Sequence, residues 1–171
     1  MEDPVYADTA GFEAWIVDMK SGEAQRFVEE VFALAKRAGI EVLVVRGDMV
    51  FGEDHLRSAL YHAKKAMREG RNSSDSLSME TLLYASGERQ LSSAIKKMAI
   101  DDAVRSAVVA RLEDGELKVE ESWIRLPKAR NDDASSDLVR FGFSREELDT
   151  AGRAAIDLVL ERVAAVDVLK R

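Results

Sequence analysis

The chain has 171 residues, 46% hydrophobic and 33% charged, a composition that fits a compact globular domain and excludes a disordered or fibrous chain. It holds no cysteine, which removes disulfide frameworks, thiol nucleophiles and thiolate metal sites together and points to a reducing, cytoplasmic setting. A net charge of −7 argues against a surface that binds polyanions everywhere.

In chain order, residues 1–11 read as an N-terminal tail with freedom to flex, ahead of a single domain over 12–171. The tail is acidic and has no basic, apolar pattern of a signal peptide, and no apolar run in the chain approaches the roughly 20 residues of a membrane span. Phe12 to Met19 reads as a strand. Ser21 is placed to cap a helix that reaches Ala38, with Phe27, Val31, Leu34 and Ala38 at helical spacing and Gly39 ending it. Ile40 to Arg46 is apolar and β-branched, the mark of a buried strand, and Gly47-Asp48 marks a turn before Met49 to Phe51. A second helix is predicted from Asp54 to Arg68. Its apolar face is Leu56, Leu60, Ala63 and Met67, while Arg57, Tyr61, Lys64 and Arg68 align on another side with Lys65 beside them.

Gly70 to Ser78 is a polar loop. Two short helices follow, Met79 to Ala85 and Glu88 to Met98, parted by Ser86-Gly87. The second turns Leu91, Ala94, Ile95 and Met98 inward and leaves Arg89, Ser93, Lys96 and Lys97 outward. Ala107 to Leu112 and Leu117 to Trp123 read as a hairpin about Asp114-Gly115. Arg125 to Asp137 reads as a loop. One long helical pattern runs from Ser144 to Arg171, opened by Ser144 and Glu147 in the spacing of a capping box. Its apolar residues wrap around several sides, and alanines at 151, 154, 155, 164 and 165 admit a close neighbour, so the helix lies in the core, with or without a partner on its far side. The fold class is α+β: a mostly antiparallel sheet flanked by helices, with a long C-terminal helix.

Catalytic signatures are missing. His55 and His62 lie seven apart on one helix without further ligands at metal spacing, and no glycine-rich phosphate loop or serine elbow is present. Asp54 beside His55 and Asp101-Asp102 have the ordinary uses of caps and turns. No catalytic residue, metal or cofactor is assigned. The charge distribution is more informative. Between Glu53 and Lys97 there are eight basic and six acidic residues, net +2, which leaves −9 for the rest. Such a stretch suits one defined anionic contact as well as a solvated helix surface. Ser86-Gly87 ahead of Arg89 offers free backbone N–H groups, a close approach and a guanidinium for a phosphate, with Gln90 for a base edge.

The run Leu82 to Ile95 (LLYASGERQLSSAI) resembles the ASGxRQIxxAI signature of the Cgi (TPRKB-like) subunit family of the KEOPS complex. Val50-Phe51-Gly52 leading into His55-Leu56, the VVARLEDGE stretch from Val108 and the RVAAVDVL stretch from Arg162 match in register, so the resemblance spans Phe12 to Leu169. Leu91 stands where Ile is usual, and Asp75 and Glu88 add negative charge near the motif. The resemblance implies a non-catalytic subunit that binds the small atypical kinase/ATPase of KEOPS directly. Through the kinase it would join the transferase and dimerisation subunits, and it would recruit tRNA by its 3′ CCA end for threonylcarbamoylation of adenosine 37. On the motif, Ser86, Gly87, Arg89 and Gln90 become candidates for the CCA contact, with Lys96 and Lys97 on the same helix. Arg57, Lys64, Lys65 and Arg68 join them by helical face. Val163, Val166, Val168 and Leu169, in the matched C-terminal end, become candidates for the kinase contact. A regulator of the kinase that never touches RNA is the alternative, and a small enzyme outside the known motifs is a third.

Overall fold

The computed structural model describes residues 3–151 and 155–170. Its elements in order are α1 (Pro4–Asp8), β1 (Glu13–Asp18), α2 (Ala24–Ala38), β2 (Val42–Arg46), a 3-10 turn (Gly47–Met49), α3 (Glu53–Arg68), α4 (Leu77–Ser86), α5 (Leu91–Met98), β3 (Ser106–Arg111), β4 (Ile124–Arg125), α6 (Ser135–Phe141), α7 (Arg145–Ala151) and α8 (Ala155–Leu169). This is the α+β architecture expected. Every strand pairing among the described residues is antiparallel, in the order β2-β3-β1-β4.

Strand alternation divides the apolar residues between two layers. One cross-strand row, Val44–Val109–Trp15, faces α2, where Phe27, Val31 and Ala35 pack with Trp123 and Leu117. The next row, Leu43–Ala110–Ala14, faces the larger core under α3, α4 and α8. Small side chains on that face, and the fully buried Ala59, Ala63 and Ala66 of α3, let helix and sheet approach closely.

Several expected elements differ. Leu117 to Trp123 is not a strand, because both flanks of β3 are already taken, by β2 on one side and β1 on the other. The chain crosses over instead, pairs Ile124 and Arg125 with β1, and drops Trp123 between Trp15 and Phe27, with ring centroids 6.3 and 6.1 Å away. The expected loop from Arg125 to Asp137 therefore begins in β4 and ends in α6. Helix α2 starts at Ala24 rather than at Ser21, and α5 starts at Leu91 rather than at Glu88. Ile95 of α5 is 41% exposed rather than inward.

The predicted C-terminal helix is described as α7 and α8, and residues 152–154, with Ala154 of the alanine pattern, lie outside the described residues. Its capping box is present: Glu147 N–H donates to Ser144 Oγ at 3.0 Å and Ser144 N–H donates to the Glu147 carboxylate at 2.6 Å. Among the described residues no helix is long and apolar enough to cross a membrane. Within the stretch expected as a tail, Pro4–Asp8 forms a helix that lies on α3.

Candidate functional site

The Ser86–Gln90 segment is a tight connection between two helices. Helix α4 ends at Ser86, and Gly87 at φ +69° supplies the left-handed residue that terminates it. Ser86 is buried. Its hydroxyl donates to Leu83 C=O at 2.7 Å and accepts from Glu88 N–H at 3.1 Å, which fixes the turn from inside. Gln90 then caps α5, with its C=O accepting from Ala94 N–H. Arg89 consequently sits on the turn and not within a helix. Arg89, Gln90 and Lys96 are exposed, and none of their three side chains has a hydrogen-bond or ion-pair partner among the described residues.

Lys97 has a different role. Its ammonium donates to the carbonyls of Ser86 at 2.8 Å and Phe141 at 2.5 Å, pairs with Glu88 at 2.7 Å and lies 4.3 Å from the centre of the Phe141 ring. Burial lowers its pKa and the Glu88 carboxylate partly offsets this. Lys97 therefore ties α5 to α6 and to the turn. Gly87 is buried too, and its hydrogen face is filled by Arg162 of α8. The Arg162 guanidinium continues over the Phe143 ring at 4.3 Å and reaches Glu147 at 3.9 Å. Arg162 escaped sequence reasoning because only the close approach to Gly87, 75 residues away in the chain, brings it to the motif.

The basic side of α3 is only partly open. Arg57 is buried: its guanidinium donates to Thr9 C=O at 2.7 Å, to Thr9 Oγ1 at 3.1 Å and to Glu53 at 2.6 Å. It sits 4.9 Å from both the Tyr6 and Phe12 ring centres. Helical spacing aligned Arg57 with Lys64 and Arg68 but gave no hint that α1 covers that line. Lys64 donates to Asp8 C=O at 3.0 Å, and Arg68 pairs with the Asp8 carboxylate at 2.9 Å. Lys65 is half-buried near the end of the helix. The N-terminus of α3 is closed as well, since Glu53 and Asp54 N–H groups donate to the carbonyls of Pro127 and Lys128.

The histidines and aspartates take structural partners. His55 is wholly buried, accepts from Phe51 N–H at Nδ1 (3.1 Å) and lies 2.7 Å from Ala85 C=O through Nε2, so the ring is the neutral Nε2–H tautomer. Burial pushes its pKa down to about 4. His62 and Tyr84 both bond the Asp167 carboxylate, and their rings stack at 5.6 Å. Burial pushes Asp167 up, but the hydrogen bonds from Tyr84 and Arg71 outweigh it and hold the carboxyl below the usual range. Asp54 accepts from the Tyr6 hydroxyl, and Asp101 accepts from Ala103 N–H in a turn.

The predicted kinase residues divide. Val163 and Val166 are fully buried against the core, whereas Val168 and Leu169 are 70% and 42% exposed. Helix α8 thus presents apolar surface on two sides, one used internally and one open near its end. Below it, Lys170 pairs with Glu80, which is fully buried and also accepts from the N–H groups of Ser73 and Ser74 at 2.9 Å.

No curated protein matches the sequence. The family model described as kinase binding protein CGI-121 matches residues 22–141, from the loop before α2 to the end of α6, and includes the whole Ser86–Gln90 turn. With most of its length within that match, the chain belongs to the CGI-121 family of kinase binding proteins.

Proposed function

We propose that this protein is a non-catalytic KEOPS subunit that holds the small kinase/ATPase directly. It would receive the 3′ CCA end of tRNA at the turn between α4 and α5, in support of threonylcarbamoylation of adenosine 37. Family membership supports the kinase partner. The observation that carries the RNA contact is the state of Arg89: an exposed guanidinium without a partner among the described residues, on a turn locked by Ser86, Gly87 and Lys97. Gln90 stands exposed next to it in the chain, and Lys96 is exposed on the following helix α5. A fixed backbone with free donors at its tip suits a phosphate and a splayed base, because the donors lose little freedom when they bind.

In this reading Ser86, Gly87 and Lys97 shape the site while Arg89, Gln90 and Lys96 touch RNA. Lys65 and Arg68 extend the cationic track along α3. Val168 and Leu169 are the kinase contact on α8, and Val163 and Val166 support it from the core. The test is a polarisation titration with intact tRNA and with the same tRNA lacking its CCA end. Weaker binding of the trimmed tRNA is expected. Equal binding to both, or none, favours the alternative of a kinase regulator without RNA contact.

A further inference from the structure

Helix α1 has no buried residue of its own, yet it is fixed to α3 by a set of polar contacts. Its C-terminal end points at three cations on one line of α3. Thr9 C=O takes Arg57, Asp8 C=O takes Lys64 at 3.0 Å, and the Asp8 carboxylate accepts two bonds from Arg68, at 2.9 and 3.2 Å. The Tyr6 hydroxyl adds a bond to Asp54, and Lys128 lies 5.7 Å from the Tyr6 ring centre. The contacts differ in burial. Thr9 and Arg57 are buried, whereas the Arg68 side chain is 55% exposed.

An exposed carboxylate–guanidinium pair contributes little to stability and weakens with salt. A second anion that brings several charges can displace it at small cost. Both oxygens of the Asp8 carboxylate accept from Nη1 of Arg68, a charge-assisted contact of the kind a guanidinium also makes with a phosphate. We propose that Asp8 and the carbonyl end of α1 form an acidic strap that occupies, within the chain, the place of a phosphodiester group on the Lys64–Arg68 edge of α3. The strap yields that edge to an RNA backbone. Arg57 keeps its hold on Thr9 in both states and acts as the hinge point, so only the Asp8 side opens. The identity of the anion as tRNA rests on the function proposed above; the strap itself rests on the contacts of Asp8.

The experiment uses the full chain, its Asp8→Asn and Arg68→Gln variants and the double variant, titrated by anisotropy competition against labelled tRNA and against inorganic polyphosphate at several salt concentrations. Asp8→Asn should bind both probes about threefold tighter. The salt dependence should steepen by about 0.7 to 0.9 in log–log slope, one extra phosphate contact. Both gains should vanish when Arg68→Gln is also present. Unchanged or weaker binding of Asp8→Asn to both probes overturns the strap, and so does a gain with polyphosphate that tRNA does not share. If trimming the CCA end makes no difference while the Asp8→Asn gain persists with both probes, the CCA reading falls and the strap stands, because polyphosphate carries no 3′ end.

Discussion

A β-carbon placed on Gly87 would lie 2.6 Å from Cγ of Arg162. The glycine therefore has two independent reasons to be a glycine: its φ of +69° ends α4, and its bare face seats a side chain of α8. Gly87→Ala is expected to cost about 1–3 kcal/mol, the left-handed backbone supplying about 1 of it and the displaced Arg162 the rest. Urea denaturation of Gly87→Ala, Arg162→Ala and the double variant checks this. The cost of Gly87→Ala should shrink toward the backbone part when Arg162 is already truncated.

Stability should depend on pH through His55. Its folded pKa of about 4 lies below the ordinary histidine value of 6.5, so the unfolded chain binds the proton more readily. Stability from this group is complete above about pH 6.5 and falls as pH drops toward 4. The loss amounts to about 3 kcal/mol, from roughly 1.4 kcal/mol per pH unit. Denaturation midpoints from pH 7 to pH 4.5 should show it, and the part due to His55 should disappear in His55→Gln.

Lys170 closes a buried ion pair near the end of the described chain. Its ammonium is the only cation bonded to Glu80 among the described residues, and the Glu80 side chain is wholly buried. Lys170→Met should destabilise the fold by about 3–5 kcal/mol, because a carboxylate is left buried without a counter-charge. Adding Glu80→Gln should recover a large part of that. Thermal melts of the two variants distinguish the buried pair from a surface contact, for which the effect would stay within about 1 kcal/mol.

Arg89→Glu should weaken tRNA binding about tenfold while leaving the melting temperature and kinase binding unchanged. Val168→Glu should do the reverse. Val166→Glu is a poor probe of the kinase contact, since Val166 is fully buried and the variant should lose the fold itself. Equilibrium titrations with tRNA and with the purified kinase, read beside a melt of each variant, separate the three effects.

Helical and strand periodicity located the buried faces well where one element meets one neighbour. Leu56, Leu60 and Ala63 on α3, and Ala94 and Met98 on α5, are buried as their spacing requires. The motif from Ala85 to Gln90 marked the turn that later proved exposed at its tip. What spacing did not reveal depends on contacts between distant segments. Arg57 looks like a solvated charge until Thr9 folds over it, and Leu117 to Trp123 looks like a hairpin arm until both flanks of β3 are filled. The contacts of Arg162 and Lys170 leave no local pattern, because their partners are the glycine that caps α4 and a glutamate within it. Val163 and Val168 were grouped by sequence, but five residues along a helix place them on different sides.

The sheet order carries a consequence for how the chain acquires its shape. Strands β1 and β2 run in the same direction and never touch; each pairs with β3, which begins at Ser106. During synthesis the first hundred residues therefore contain two apolar strands with no partner to pair with, and the central ladder closes only through contacts spanning roughly sixty to a hundred residues. Such long-range closure slows folding and leaves exposed edges while it waits. The ribosome must release β3 before this protein can become resistant to proteases and indifferent to its neighbours.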